Sequence, residues 1–213
     1  MSSTQQPFRR FARRGAAMFA ACVAVAAGLV TYGLSAAGAT TTAPAAAPAA
    51  KTFTFALKAS PGIASCLPHA RGQAWITPGS LNDVMKVRIW GMPAHSEFDL
   101  FVIQFPNKPF GVSWYQSDIN AGADGSGTAT VQGIFDKETF SVSPGGTTTF
   151  KPTHQFHLGI WFNDPNLPFK LGCEKGKTAP VVTPFNGEQH AGIQVLNTAQ
   201  FPVNAGPLSH VHR

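Results

Sequence analysis

From Thr52 onward the chain is built of short runs in which apolar residues alternate with polar ones, and each run ends at Gly, Pro, Asn or Asp. In "VMKVRIWG", Met85, Val87 and Ile89 form one row, and Val84, Lys86 and Arg88 form the other. Successive side chains of a strand point to opposite faces, so this run reads as a half-buried strand with a largely basic outer face. "TFTFALKA", "GQAWITP", "GTATVQGIF", "HQFHLGIWF" and "AGIQVLNTAQF" complete the set with "EFDLFVIQF". The last of these is apolar on both faces after Asp99, as a central strand should be. No stretch of this region sustains the i, i+3, i+4, i+7 spacing of a helix. The 21 glycines and 17 prolines supply turns, and the 17 phenylalanines supply large side chains to bury. The expectation is an all-β fold, a single antiparallel β-sandwich over residues 52–205.

Two turns refine this. "WGMPAHSEF" joins two strands through Gly91 and Pro93, and "ADGSGTA" opens a Thr-rich strand. At these residues the chain resembles immunoglobulin-like bacterial secreted domains, in texture the apoproteins of the neocarzinostatin type. The resemblance covers Met85–Phe135 and implies an immunoglobulin-like sandwich. Those apoproteins carry two disulfides and this chain has fewer cysteines, so their chromophore-binding role does not carry over. The remainder is similar to exported bacterial β-sandwich proteins, which implies no activity.

The N-terminus reads as an address. An Arg-rich start precedes an apolar run from Ala16 to Val30, and Ala37-Gly38-Ala39 fits a cleavage site. Residues 1–39 are therefore expected to be a signal peptide, with an uncleaved membrane anchor as the alternative and the only expected membrane contact. Residues 40–51, "TTTAPAAAPAAK", have the composition of an extended linker. Residues 206–213 are expected to be a C-terminal tail. Cys22 falls in the signal, which leaves Cys66 and Cys173; a disulfide is expected in an exported chain, with two buried free thiols as the alternative. It would close a loop of over one hundred residues, worth roughly 4–5 kcal/mol in the chain-entropy model.

The net charge of +6 suggests nucleic acid until it is located. Four of the 16 basic residues (Arg9, Arg10, Arg13 and Arg14) precede the apolar run, and without them 12 face 10 acids. Lys51, Lys58, Lys86, Arg88, Lys108 and Lys151 are scattered along the chain, and only Lys170, Lys175 and Lys177 lie close together. No nucleic-acid partner is expected.

His154 and His157 stand three apart in a run of period two, so on a strand they face opposite ways and cannot chelate one metal. His210 and His212 could face the same way and hold Cu(II) or Ni(II) loosely, but a free tail explains them equally well. No metal and no cofactor is expected. Hydrolase signatures such as G-x-S-x-G and H-E-x-x-H are absent. The carboxylate pairs Glu97/Asp99 and Asp136/Glu138 are expected on solvated outer faces. The unusual feature is a repeat, "PNKPF" at Pro106–Phe110 and "PNLPF" at Pro165–Phe169, each following a core strand. Two prolines stiffen each loop and preset an Asn and a Phe. Asn107, Phe110, Asn166 and Phe169, with Trp114 and Tyr115 nearby, are the candidate binding residues; in the alternative both phenylalanines only plug the core. Pro184-Phe185 is a third such dipeptide. The favoured function is non-catalytic binding of an extracellular glycan or surface protein. The rivals are a hydrolase assembled from Asp118, Asp164, Glu188 or His190, and a purely structural module.

Overall fold

The computed structural model describes residues 51–135, 141–142, 148–149, 155–184 and 190–211. The expected signal and all but Lys51 of the expected linker lie outside them, as do Asp136, Glu138, His154, Phe185, Glu188 and His212. Among the described residues no helix is long and apolar enough to cross a membrane.

The fold is all-β and antiparallel. Its strands are β1 (Phe53–Ala59), β2 (Arg71–Thr77), β3 (Asp83–Trp90), β4 (Glu97–Ile103), β5 (Ser113–Asn120), β6 (Gly127–Gly133), β7 (Ser141–Val142), β8 (Thr148–Thr149), β9 (His157–Phe162) and β10 (Gln194–Asn197). β7 and β8 pair with each other, and the other eight form one sheet in the order β5-β4-β9-β10-β1-β2-β3-β6. The sheet has two halves, β5-β4-β9-β10 and β1-β2-β3-β6, joined by a short β1–β10 ladder (Lys58 opposite Asn197, Ala59 opposite Leu196). The edge strands β5 and β6 run beside each other, so the sheet curls nearly into a barrel. The sandwich expectation is thus met in its class, but the two layers are hydrogen-bonded into one sheet.

The halves enclose one core. Phe98, Leu100, Leu158, Ile160 and Phe162 from one half meet Leu57, Ile76, Met85, Val87 and Ile89 from the other, all essentially fully buried. Each such side chain contributes about 1.5–3 kcal/mol relative to exposure. β4 and β9 also carry a smaller apolar cluster on the opposite, outward face, Phe101, Ile103 and Trp161, which Ala191 joins from the segment before β10. Two-sided burial is why these strands read as nearly continuous apolar runs.

The Cys66–Cys173 disulfide is present, with Cα atoms 5.1 Å apart. It ties the β1–β2 connection to the segment after a short helix, α1 (Asn166–Lys170). At "ADGSG", Asp124 Oδ1 accepts from the Ser126 N–H at 3.0 Å, and Gly125 takes φ 68. A Cβ there would collide with the Met92 carbonyl, so the turn requires glycine.

Three local expectations are corrected. β5 was not among the expected strands, because as an edge strand it buries only Ile119 and shows no alternation. The second P-N-x-P-F motif is not an extended loop: it forms α1. Pro168 is tolerated there because it lies in the first turn, where N–H groups have no intrahelical partner. Residues 206–213 are not a free tail as far as they are described. Pro207–His210 form a 3-10 turn, Leu208 and Val211 are buried in the main core, and the Leu208 N–H donates to the Phe156 carbonyl at 3.1 Å.

Candidate functional site

The loop from β4 to β5 is closed at its base by backbone bonds. Gln104 N–H donates to Val112 O at 2.9 Å, and Phe105 N–H to Phe110 O at 3.0 Å. Val112 N–H donates to Gln104 Oε1 at 3.2 Å. Gly111 has φ 68 and sits so tightly on the Gln104 side chain that a Cβ would not fit. The Lys108–Pro109 peptide is cis.

Two anchors fix this loop from beneath. Gln194 of β10, itself buried, donates from Nε2 to the Pro106 carbonyl at 3.2 Å. Its Oε1 accepts from Ser60 Oγ at 3.0 Å and from Asn197 Nδ2 at 3.0 Å. The Phe110 ring packs edge-on against Trp161, with centroids 4.8 Å apart. Pro106 is buried in consequence, while Asn107, Lys108 and Pro109 stand exposed. A rigid base with exposed polar tips suits recognition, because little ordering entropy remains to be lost on binding.

Phe105, Pro106, Asn107, Lys108 and Pro109 line an open cavity of about 380 Å³, closed on its other side by Val203. The Val203 wall is anchored in turn by His157 of β9. Its Nε2 donates to the Val203 carbonyl at 3.1 Å, and its Nδ1 accepts from Thr198 Oγ1 at 3.0 Å. This assignment follows from the acceptors available. Burial pushes the imidazole pKa down, so the ring is neutral at pH 7. Both ring nitrogens are taken.

The remaining candidates separate. Trp114 and Tyr115 are exposed, but as neighbours on β5 they point to opposite faces. Tyr115 stands opposite Phe101, their rings 5.7 Å apart, and so extends the aromatic row Phe110–Trp161–Phe101. Trp114 stands opposite Val102 and does not join that row. Asn166 is exposed, but its backbone N–H and Nδ2 both donate to Asp164 Oδ1, at 2.8 and 2.9 Å. Phe169 is half-buried. Neither Asn166 nor Phe169 lines the cavity. The twin motifs therefore share a sequence and not a geometry.

Of the hydrolase candidates, Glu188 lies outside the described residues and the others have separate roles or surroundings. Asp164 serves Asn166, His190 is exposed beside Ala191, and Asp118 faces Asp99 across the β4–β5 ladder. Asp99 corrects an expectation: it is 4% exposed, not solvated. Burial, opposed by a hydrogen bond from Asn163 Nδ2 at 2.9 Å and reinforced by Asp118 and Glu97, pushes its pKa up to about 6. Asp118 also accepts from Tyr115 Oη at 2.7 Å. Among the described residues no group of three or more potential metal ligands occurs. Gln194, which positions the loop, was not singled out by sequence, and His157, which positions the opposing wall, was weighed there only as a metal ligand; each is the polar residue that opens its strand. No family model and no curated protein sequence matches the chain.

Proposed function

We propose that the chain is an exported, non-catalytic β domain that binds an extracellular glycan through the β4–β5 loop. The observation that carries this reading is the preformed cavity between Phe105–Pro109 and Val203, whose two walls are pinned by buried Gln194 and His157. Concave sites of this size, mostly apolar with a few fixed polar groups, are typical small-ligand sites. Asn107 offers an amide that both donates and accepts, Lys108 offers an ammonium, and Phe105 offers an apolar wall, a set suited to hydroxyl-rich rings. The disulfide supports export, because such bonds persist in oxidising compartments. The Asp99–Asp118 pair favours a structural role over glycosidase chemistry. Its members are within hydrogen-bonding range of each other and Asp99 is buried, whereas acid/base hydrolysis needs two carboxyls set about 5 Å or more apart across a cleft. Screening the full chain on a panel of immobilised neutral and acidic glycans tests the reading. Binding to at least one glycan is expected, and binding to none would overturn it.

A further inference from the structure

The cations that are scattered in sequence converge on one sheet face. Outward positions of β1, β2 and β3 place Lys58 opposite Arg71, Arg71 opposite Trp90, and Trp75 opposite Lys86. Arg88 stands two residues before Trp90 on the same face of β3. The alternate residues of these strands are buried in the core, so the four cations share the outer face. Neighbouring strands lie about 5 Å apart and same-face residues of one strand about 7 Å apart, which makes the four a single patch.

Among the described residues no carboxylate stands on this face: the outward positions of β1, β2, β3 and β6 hold none. Asp124, which feels Arg88, lies in the β5–β6 turn with its oxygens bound by Ser126. Like charges directly opposite each other, as Lys58 and Arg71 are, destabilise a sheet. A face that retains them without a counter-charge is suited to an anion from outside. Tryptophan rings hold the cations in place: Arg71 and Arg88 lie 5.5 and 5.9 Å from the Trp90 ring centroid, and Lys86 lies 6.0 Å from that of Trp75.

We infer that this face docks an acidic polysaccharide, the inference resting on the reading of the chain as an exported glycan-binding domain. Arg71 and Arg88 supply planar forks for carboxylate or sulfate groups. The outward Gln73, Thr128 and Thr130 supply partners for hydroxyls. Charge complementarity calls for a polyanion, and two observations select its kind. Among the described residues, no outward position of β1, β2, β3 or β6 carries an exposed large apolar side chain to enter a bilayer; the exposed Leu81 and Ile134 lie beyond the strand ends. The Trp75 and Trp90 rings are half-buried and accompanied by cations, which disfavours them as platforms for stacked bases.

The test is the affinity of the full chain for a polyuronate, a neutral polysaccharide of equal length, single-stranded DNA and anionic phospholipid vesicles, at low and high salt. The polyuronate is expected to bind tightest and to weaken as salt rises. Arg71→Gln combined with Arg88→Gln should weaken polyuronate binding by about tenfold or more, leaving neutral-glycan binding unchanged. Arg88→Lys, which keeps the charge and loses the fork, should fall between. Equal polyuronate and neutral binding, or no effect of the arginine changes, overturns this inference and leaves the loop site standing. Tighter binding to DNA or vesicles also overturns it. Binding to none of the glycans overturns both readings.

Discussion

Burial shifts the titration of Asp99 and of His157 in opposite senses. Burial raises Asp99 to about 6, above its unfolded value near 3.9, so the folded state binds more protons between those two values. Its contribution to stability is full below about pH 4 and is lost as pH rises through about 6. Burial lowers His157, so its contribution is full above about pH 6.5 and is lost as pH falls. Asp99→Asn removes the first effect and leaves the second. The melting temperature of Asp99→Asn relative to the parent chain should therefore rise between pH 4 and pH 8. A difference that does not change with pH would show that the Asp99 carboxyl titrates normally.

At the scale of elements, the β4–β5 loop depends on a residue far away in sequence. Gln194 reaches Pro106 across a separation of 88 residues, and no local pattern announces such a contact. Gln194→Ala leaves the Pro106 carbonyl, Ser60 and Asn197 short of a partner. A cost of about 1–3 kcal/mol in a denaturant melt is expected, together with weaker glycan binding, because the loop loses its floor. Full stability with unchanged binding would remove Gln194 from the account. The same distance effect explains what was legible in the sequence. β1, β2, β3 and β6 could be read because their alternation records which face is buried, and β4 and β9 because burial on both faces leaves a nearly continuous apolar run. β5 could not, because an edge strand that buries only Ile119 leaves no period. The P-N-x-P-F repeat promised two equal loops. Residues outside the motif decide otherwise: Asp164 holds the head of α1, while Gln194 and Trp161 hold the first copy open as a loop. The basic face was hidden for the same reason, since Lys58, Arg71, Lys86 and Arg88 meet only through strand register.

Across the whole molecule, the Cys66–Cys173 bond spans 107 residues and links the first strand connection to the segment after α1. Replacing both cysteines with serine should cost about 2–5 kcal/mol, and an unchanged melt would contradict the bond's role. Gln194 and Trp161 hold the β4–β5 loop in place before any ligand arrives, and the proposed binding rests on that prebuilt loop. The most direct measurement is the dissociation constant of Asn107→Ala and of Asn166→Ala for a glycan the parent chain binds, with melting temperatures recorded beside them. Both changes are at exposed positions and should alter stability by no more than about 0.5 kcal/mol. Asn107→Ala should weaken binding by about tenfold, while Asn166→Ala, whose amide is spent on Asp164, should leave it unchanged. Equal effects of the two changes, or none from Asn107→Ala, would contradict the account.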